Sequence, residues 1–206
     1  MSGFGPFNGV DDNPTSRLME ELEDYLKKNA LPDSISGRVD VRSCTIYEVS
    51  AVGALTQFSE LLQLYKIDPN EEVVFIHFGV HGKADCFNLE KQAFNEANFS
   101  CPDEQGWTPQ SHPIHPRNPD ITHILTTTLP LEDILEDVGK KYPAKISFDA
   151  GRFLCNYLYY QSLHMSQING TKSVFIHVPP FQVIDQPTQL AFARELLITI
   201  ASKILK

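Results

Sequence analysis

The sequence predicts an α/β fold, a three-layer αβα domain around a central, mostly parallel β-sheet. Two continuous apolar runs of strand length, residues 72–79 and 171–178, have the pattern of strands covered on both faces. Amphipathic helical segments alternate with the strand candidates, as right-handed crossovers of a parallel sheet require. With 206 residues, 42% of them hydrophobic, the chain can bury one substantial core, and residues 1–206 are read as a single domain.

Residues 1–7 read as a glycine-rich loop with no strand before it. Asn13 then caps a helix whose first position is Pro14; Leu18, Leu22, Tyr25 and Leu26 recur at helical spacing to about Asn29. Val39, Val41 and Ser43 alternate with polar residues up to Ile46, which predicts a strand. Val52, Leu55, Phe58, Leu62 and Tyr65 mark a second helix, closed by Pro69 and Asn70. The run from Glu72 to Gly79 is the expected central strand. From Val80 to about Asp120 glycines and prolines break the pattern, so irregular structure is expected, and loops this long are usually functional or mobile. Leu131, Ile134, Leu135 and Val138 give a third helix, and 145–148 a short strand. A helix follows from Arg152 to about Gln167, then a strand at 171–178 and a closing helix at 188–205.

A net charge of −9 and a pI near 5.2 argue against nucleic acid and anionic membrane as partners. The N-terminal residues lack a signal-peptide pattern and no apolar stretch is long enough to span a bilayer, so a cytoplasmic location is expected. In that compartment Cys44, Cys86, Cys101 and Cys155 should remain reduced.

Cys155 is the most informative side chain, because it stands where a short strand gives way to a helix. Free N–H groups and the macrodipole at a helix start favour negative charge, which suits a reactive thiol. His177 ends the last strand and can serve as its base. For the group that orients the base, Glu90 competes with Asp149. Each residue also has a plain structural role: a small buried thiol, a core imidazole, a helix-surface charge. Parallel sheets gather their sites at the carboxyl ends of strands, and Gly79, Asp149 and His177 are all expected at such ends. That joint placement favours chemistry. His77, His81, Cys86, Cys101, His112 and His115 fall close together in sequence, but without the paired spacing of a zinc site.

Four collinear segments carry a family resemblance: Gly3-Phe4-Gly5-Pro6-Phe7 with Asn13-Pro14-Thr15; Gly79-Val80 through Leu89-Glu90-Lys91 to Asn95; Asp149-Ala150-Gly151-Arg152-Phe153-Leu154-Cys155-Asn156; and Phe175-Ile176-His177-Val178-Pro179-Pro180. Together they resemble the pyroglutamyl peptidase I family of cysteine peptidases across nearly the whole chain. The resemblance implies hydrolysis of N-terminal pyroglutamyl (5-oxoproline) residues from small peptides, without metal or organic cofactor. It implies Cys155 as nucleophile, His177 as base and Glu90 as its orienting group. An apolar pocket for the lactam is implied at Phe4 and Phe7, with Asn13, Gly79 and Val80 also assigned to substrate binding. Two departures from the family pattern stand out. The first family strand, which normally precedes the Gly-Phe-Gly-Pro-Phe loop, is missing, and Val80-His81 follows Gly79 where bacterial relatives often carry glutamine. A different cysteine amidase of similar fold and an impaired relative without the first strand are the competing function classes.

Overall fold

The computed structural model describes residues 1–205 other than Asn8, Asp11, Lys66 and Pro69. In chain order the elements are β1 (Ser2–Phe4), α1 (Pro14–Lys28), β2 (Thr45–Tyr47), α2 (Ala51–Tyr65), β3 (Val74–Val80), β4 (Phe87–Glu90), β5 (Gln92–Phe94), β6 (Glu96–Ala97), β7 (His112–Pro113), β8 (Ile124–Thr126), α3 (Leu131–Val138), β9 (Ala144–Ser147), α4 (Leu154–Asn169), β10 (Lys172–Val178) and α5 (Gln186–Ile204). Six strands form the main sheet in the order β2-β1-β3-β10-β4-β9, and β5 with β8 and β6 with β7 form two small antiparallel pairs. Strands β2, β1, β3 and β10 are parallel, β4 runs against β10, and β9 is parallel to β4.

Strand alternation divides the core into two layers. Ile76, Phe78, Phe87, Leu89, Val174 and Ile176 face α1, α3 and α5, where they meet Leu18, Leu22, Ile134, Phe192 and Leu196. Phe4, Tyr47 and Phe175 face the other way and pack with Phe58 of α2 and Leu158 and Tyr159 of α4. The mostly parallel three-layer architecture therefore follows from alternating strands and one-sided helices.

Helix boundaries follow local chemistry. Asn13 Oδ1 accepts from the Thr15 N–H at 3.0 Å, and Lys27 and Lys28 occupy the negative end of α1. Helix α5 begins two residues before the expected Thr188, because Asp185 caps it and Pro187 fits its first turn. Gly170, with φ of 70°, closes α4 in the left-handed conformation.

Three differences from the sequence expectations concern the sheet. Residues 2–4 form a short strand, β1, where a loop without the first strand is expected; β1 pairs in parallel with β2 and β3, which corrects that expectation. The strand expected from Val39 shrinks to Thr45–Tyr47, since Ser2 pairs with Thr45 and β1 offers no partner to the residues before it. A cavity of about 420 Å³ opens there, between residues 38–43, the start of β3 and the last turns of α5. The expected irregular region after Val80 contains β4 to β7, and β4 enters the main sheet. The expected end of the second helical unit at Pro69 lies outside the described residues.

Candidate active site

Phe87, Asn88, Leu89 and Glu90 alternate across the sheet, so Phe87 and Leu89 enter one core layer while Asn88 and Glu90 face α4. Antiparallel pairing sets Glu90 beside Phe175 and Asn88 beside His177. Glu90 is 0% exposed, and its Oε1 lies 2.7 Å from His177 Nδ1. The Tyr159 hydroxyl donates to the Glu90 carbonyl at 2.8 Å, tying this strand to α4. Glu90 Oε2 is buried without a hydrogen-bond partner. That is a costly arrangement, and the adjacent imidazolium offsets it.

The thiol arrives from α4. Asn156 fixes the start of this helix to the neighbouring strands: its Nδ2 donates to the carbonyls of Phe94 and Glu96 at 2.9 Å each, and its Oδ1 accepts from the Phe94 N–H at 2.8 Å. Arg152 stacks 3.8 Å from the Phe94 ring centre and pairs with Glu96 and Asp149, and Gly151 turns the preceding loop with φ of 77°. The first helical bond at this end runs from the Tyr157 N–H to the Phe153 carbonyl. The N–H groups of Leu154, Cys155 and Asn156 therefore lie ahead of the intrahelical ladder.

The Cys155 sulfur, set against Gly79 beside His177 in the sheet, is near enough to act on the imidazole. Burial opposes a charge on this imidazole, but its interactions with the Cys155 sulfur and the Glu90 carboxylate outweigh it and raise its pKa to about 10. Because the folded value lies above the ordinary 6.5, the stability that His177 contributes is complete below about pH 6.5 and is lost as pH rises through about 10. Carboxamidomethylation replaces the thiol with a neutral thioether that cannot carry a charge. The expected result is a His177 pKa well below 10 in the alkylated protein, read by NMR titration of the labelled imidazole; an unmoved value would contradict the contact.

Gly79 admits the sulfur to the sheet. A Cβ at this position would lie 2.7 Å from Phe175 Cζ and 2.9 Å from Cys155 Sγ. Gly79→Ala is accordingly expected to lower activity at least about tenfold, by displacing the thiol from His177. Steady-state rates on folded protein check this, and a wild-type rate would show that the sulfur tolerates displacement.

The other sequence candidates are partly gathered here. Phe4 is buried on the α4 side of the sheet, its ring centre 6.4 Å from that of Phe175. Phe7 is half-buried, 6.4 Å from Phe153, which in turn lies 4.6 Å from Phe99. Phe153 and Phe99 are aromatic neighbours that the sequence reading missed, although Phe153 stands two residues before Cys155. Asn13 caps α1 and donates to the Gly5 carbonyl at 2.9 Å, shaping the loop between Phe4 and Phe7. Val80 follows Gly79 and alternates to the opposite face of β3.

Asp149 does not join the cluster. Strand β9 runs against β10, so its carboxyl end points away from that of β10; Asp149 is exposed and pairs with Arg152 at 2.7 Å. The expectation that it ends a strand alongside Gly79 and His177 is therefore corrected by the strand directions. The histidines considered for zinc have separate partners: His77 lies between the Ser2 and Ser162 hydroxyls, His81 against His177, and His115 against His164. Among the described residues no group of three or more potential ligands could hold a metal ion. Burial of His77, helped by the N-terminal ammonium, lowers its pKa to about 3, so it is a neutral core group. The cavity of about 420 Å³ lies at the amino end of the sheet, so void size does not mark this site; the titratable cluster does.

Fold and site together define an α/β protein with a thiol set against a buried imidazole–carboxylate pair. The pyroglutamyl peptidase family model matches residues 1–199. A pyrrolidone-carboxylate peptidase of Pyrococcus furiosus is 31% identical over 95% of this chain and 91% of its own length, and one of Thermococcus litoralis is 32% identical over 90% and 79%. Among solved structures, a mutant pyrrolidone carboxyl peptidase from P. furiosus superposes with a TM-score of 0.79 at 26% identity, covering 99% of this chain and 98% of that one. The chain belongs to the pyroglutamyl peptidase family and is a hydrolase of the cysteine-peptidase class.

Proposed function

We propose that residues 1–206 act as a single peptidase domain that removes N-terminal pyroglutamyl residues from peptides through Cys155, His177 and Glu90. The observation that carries this reading is the 2.7 Å contact between His177 Nδ1 and buried Glu90, which leaves Nε2 for the Cys155 sulfur. Glu90 holds the ring in one tautomer and balances its charge. The sulfur attacks the pyroglutamyl carbonyl, forming a C–S bond while the carbonyl electron pair moves to oxygen. The N–H of Cys155, with its helix-start neighbours, receives that oxyanion. His177 protonates the departing nitrogen as the C–N bond breaks, and the product peptide leaves with a free amine. His177 next takes a proton from water, which attacks the thioester and releases pyroglutamate and the thiolate.

The lactam of the substrate has no charged amine, so it needs flat apolar walls and few polar partners. Phe4 and Phe7 supply such walls, Asn13 holds their loop, and Gly79 leaves room for the sulfur. For Val80 the contribution falls to the main chain at the end of β3. Pairing of β1 with β2 and β3 supports retention of Phe4 despite the short first strand. The domain is proposed to act in the cytoplasm without metal or organic cofactor. Four free cysteines favour a reducing compartment, and among the described residues no helix is long and apolar enough to cross a membrane.

Release of fluorescence from pyroglutamyl aminomethylcoumarin by purified protein tests the proposal. Turnover that persists in a chelator is expected. A folded protein that leaves this substrate intact contradicts the assigned function.

A further inference from the structure

The sheet register places four residues in one row: Gly79 beside His177, His177 beside Asn88, and Asn88 beside Lys145. Side chains at paired positions project to the same face. Gly79 holds the sulfur at one end of the row, and Lys145 stands exposed at the other. Helix α4 packs on β3 and β10. The aromatic residues Phe4 and Phe7 lie towards β1, on the far side of Gly79.

This order gives a bound peptide a direction. With the pyroglutamyl ring on the aromatic side and the carbonyl at Cys155, the departing nitrogen faces His177, and the rest of the peptide continues over β4 and β9. His81 borders that path, exposed, with its ring centre 5.6 Å from that of His177. It is anchored by its N–H donating to the Val178 carbonyl at 2.9 Å. We infer that His81, Asn88 and Lys145 form the subsite for the residue after pyroglutamate, and that the ammonium of Lys145 makes it prefer an acidic one.

The inference rests on the proposed roles of Cys155 and His177. Partial burial and the neighbouring His177 charge lower the His81 pKa, so at neutral pH His81 serves as a neutral hydrogen-bond partner and Lys145 supplies the charge. Asp85 and Lys145 both act on the Cys86 thiol, so a carboxylate stands on the same side of the path as the ammonium. Cys86 donates to Asn88 Oδ1 at 3.7 Å, holding the amide at the floor of the path.

The test compares kcat/KM for pyroglutamyl-glutamyl amide, pyroglutamyl-glutaminyl amide and pyroglutamyl-lysyl amide at low salt. The acidic substrate is expected to exceed the lysyl one by about fivefold, the range of an exposed ion pair. Added salt should shrink that ratio. Lys145→Glu should invert it and Asp85→Asn should widen it. Because each ratio is internal to one preparation, partial unfolding of a variant does not alter it. Equal rates on the three amides, or a ratio unmoved by Lys145→Glu, overturn the subsite while leaving the proposed function intact. Loss of all turnover, on these amides and on pyroglutamyl aminomethylcoumarin, removes the function and the subsite together.

Discussion

Cys155→Ala is expected to lower kcat on pyroglutamyl aminomethylcoumarin by at least about a thousandfold while the protein stays folded. The sulfur is the atom that forms the covalent bond, and Cys155 is the cysteine that acts on His177, whereas the Cys86 thiol donates to Asn88 Oδ1. The substitution removes little volume from a half-buried position, so circular dichroism and thermal unfolding should remain close to wild type. Wild-type turnover in the variant would show that another residue supplies the nucleophile. Residual activity well above background would point to water attacking directly, with His177 as its base.

Glu90→Gln should reduce kcat by about a hundredfold to ten-thousandfold. Glutamine keeps the shape of the side chain but removes the charge that helps hold His177 protonated, and its amide can present a donor where Nδ1 needs an acceptor. The His177 pKa should fall in this variant, in the same direction as after alkylation of the thiol. Glu90→Ala goes further: it leaves a cavity and an imidazolium without its carboxylate, with an expected stability loss of about 3 kcal/mol in urea unfolding. A Glu90→Gln protein with full activity would confine the carboxylate to a structural role.

Much of this arrangement is legible in the sequence. The runs that become β3 and β10 are apolar on both faces because helices cover both sides of the sheet, and Asn13-Pro14 announces α1. Cys155 and His177 are identifiable because one begins a helix and the other nearly ends a strand. Strand direction is harder to read. Nothing in the composition of Ala144–Ser147 says that β9 runs against β10, and that reversal sends Asp149 to the surface and leaves Glu90 beside the imidazole. Glu90 sits in a strand that the surrounding glycines and prolines obscure, although the alternation of Phe87 and Leu89 with Asn88 and Glu90 is a usable signal. The strand expected at Val39 shows the opposite limit. Its pattern is right for a sheet, but a strand needs a partner, and pairing with β1 begins only at Thr45. Phe153 and Phe99 meet through tertiary packing between segments distant in sequence, which no local periodicity encodes.

An acyl-enzyme trapped on Cys155 bears most directly on the proposed chemistry. Mixing the protein with excess pyroglutamyl aminomethylcoumarin, quenching in acid within one turnover and mapping the digest by mass spectrometry should reveal a pyroglutamyl adduct on the peptide containing Cys155. That adduct should disappear in Cys155→Ala and as the native enzyme completes its cycle. An adduct on another residue, or fluorophore release without any covalent intermediate, would contradict the assignment of Cys155 as the attacking group.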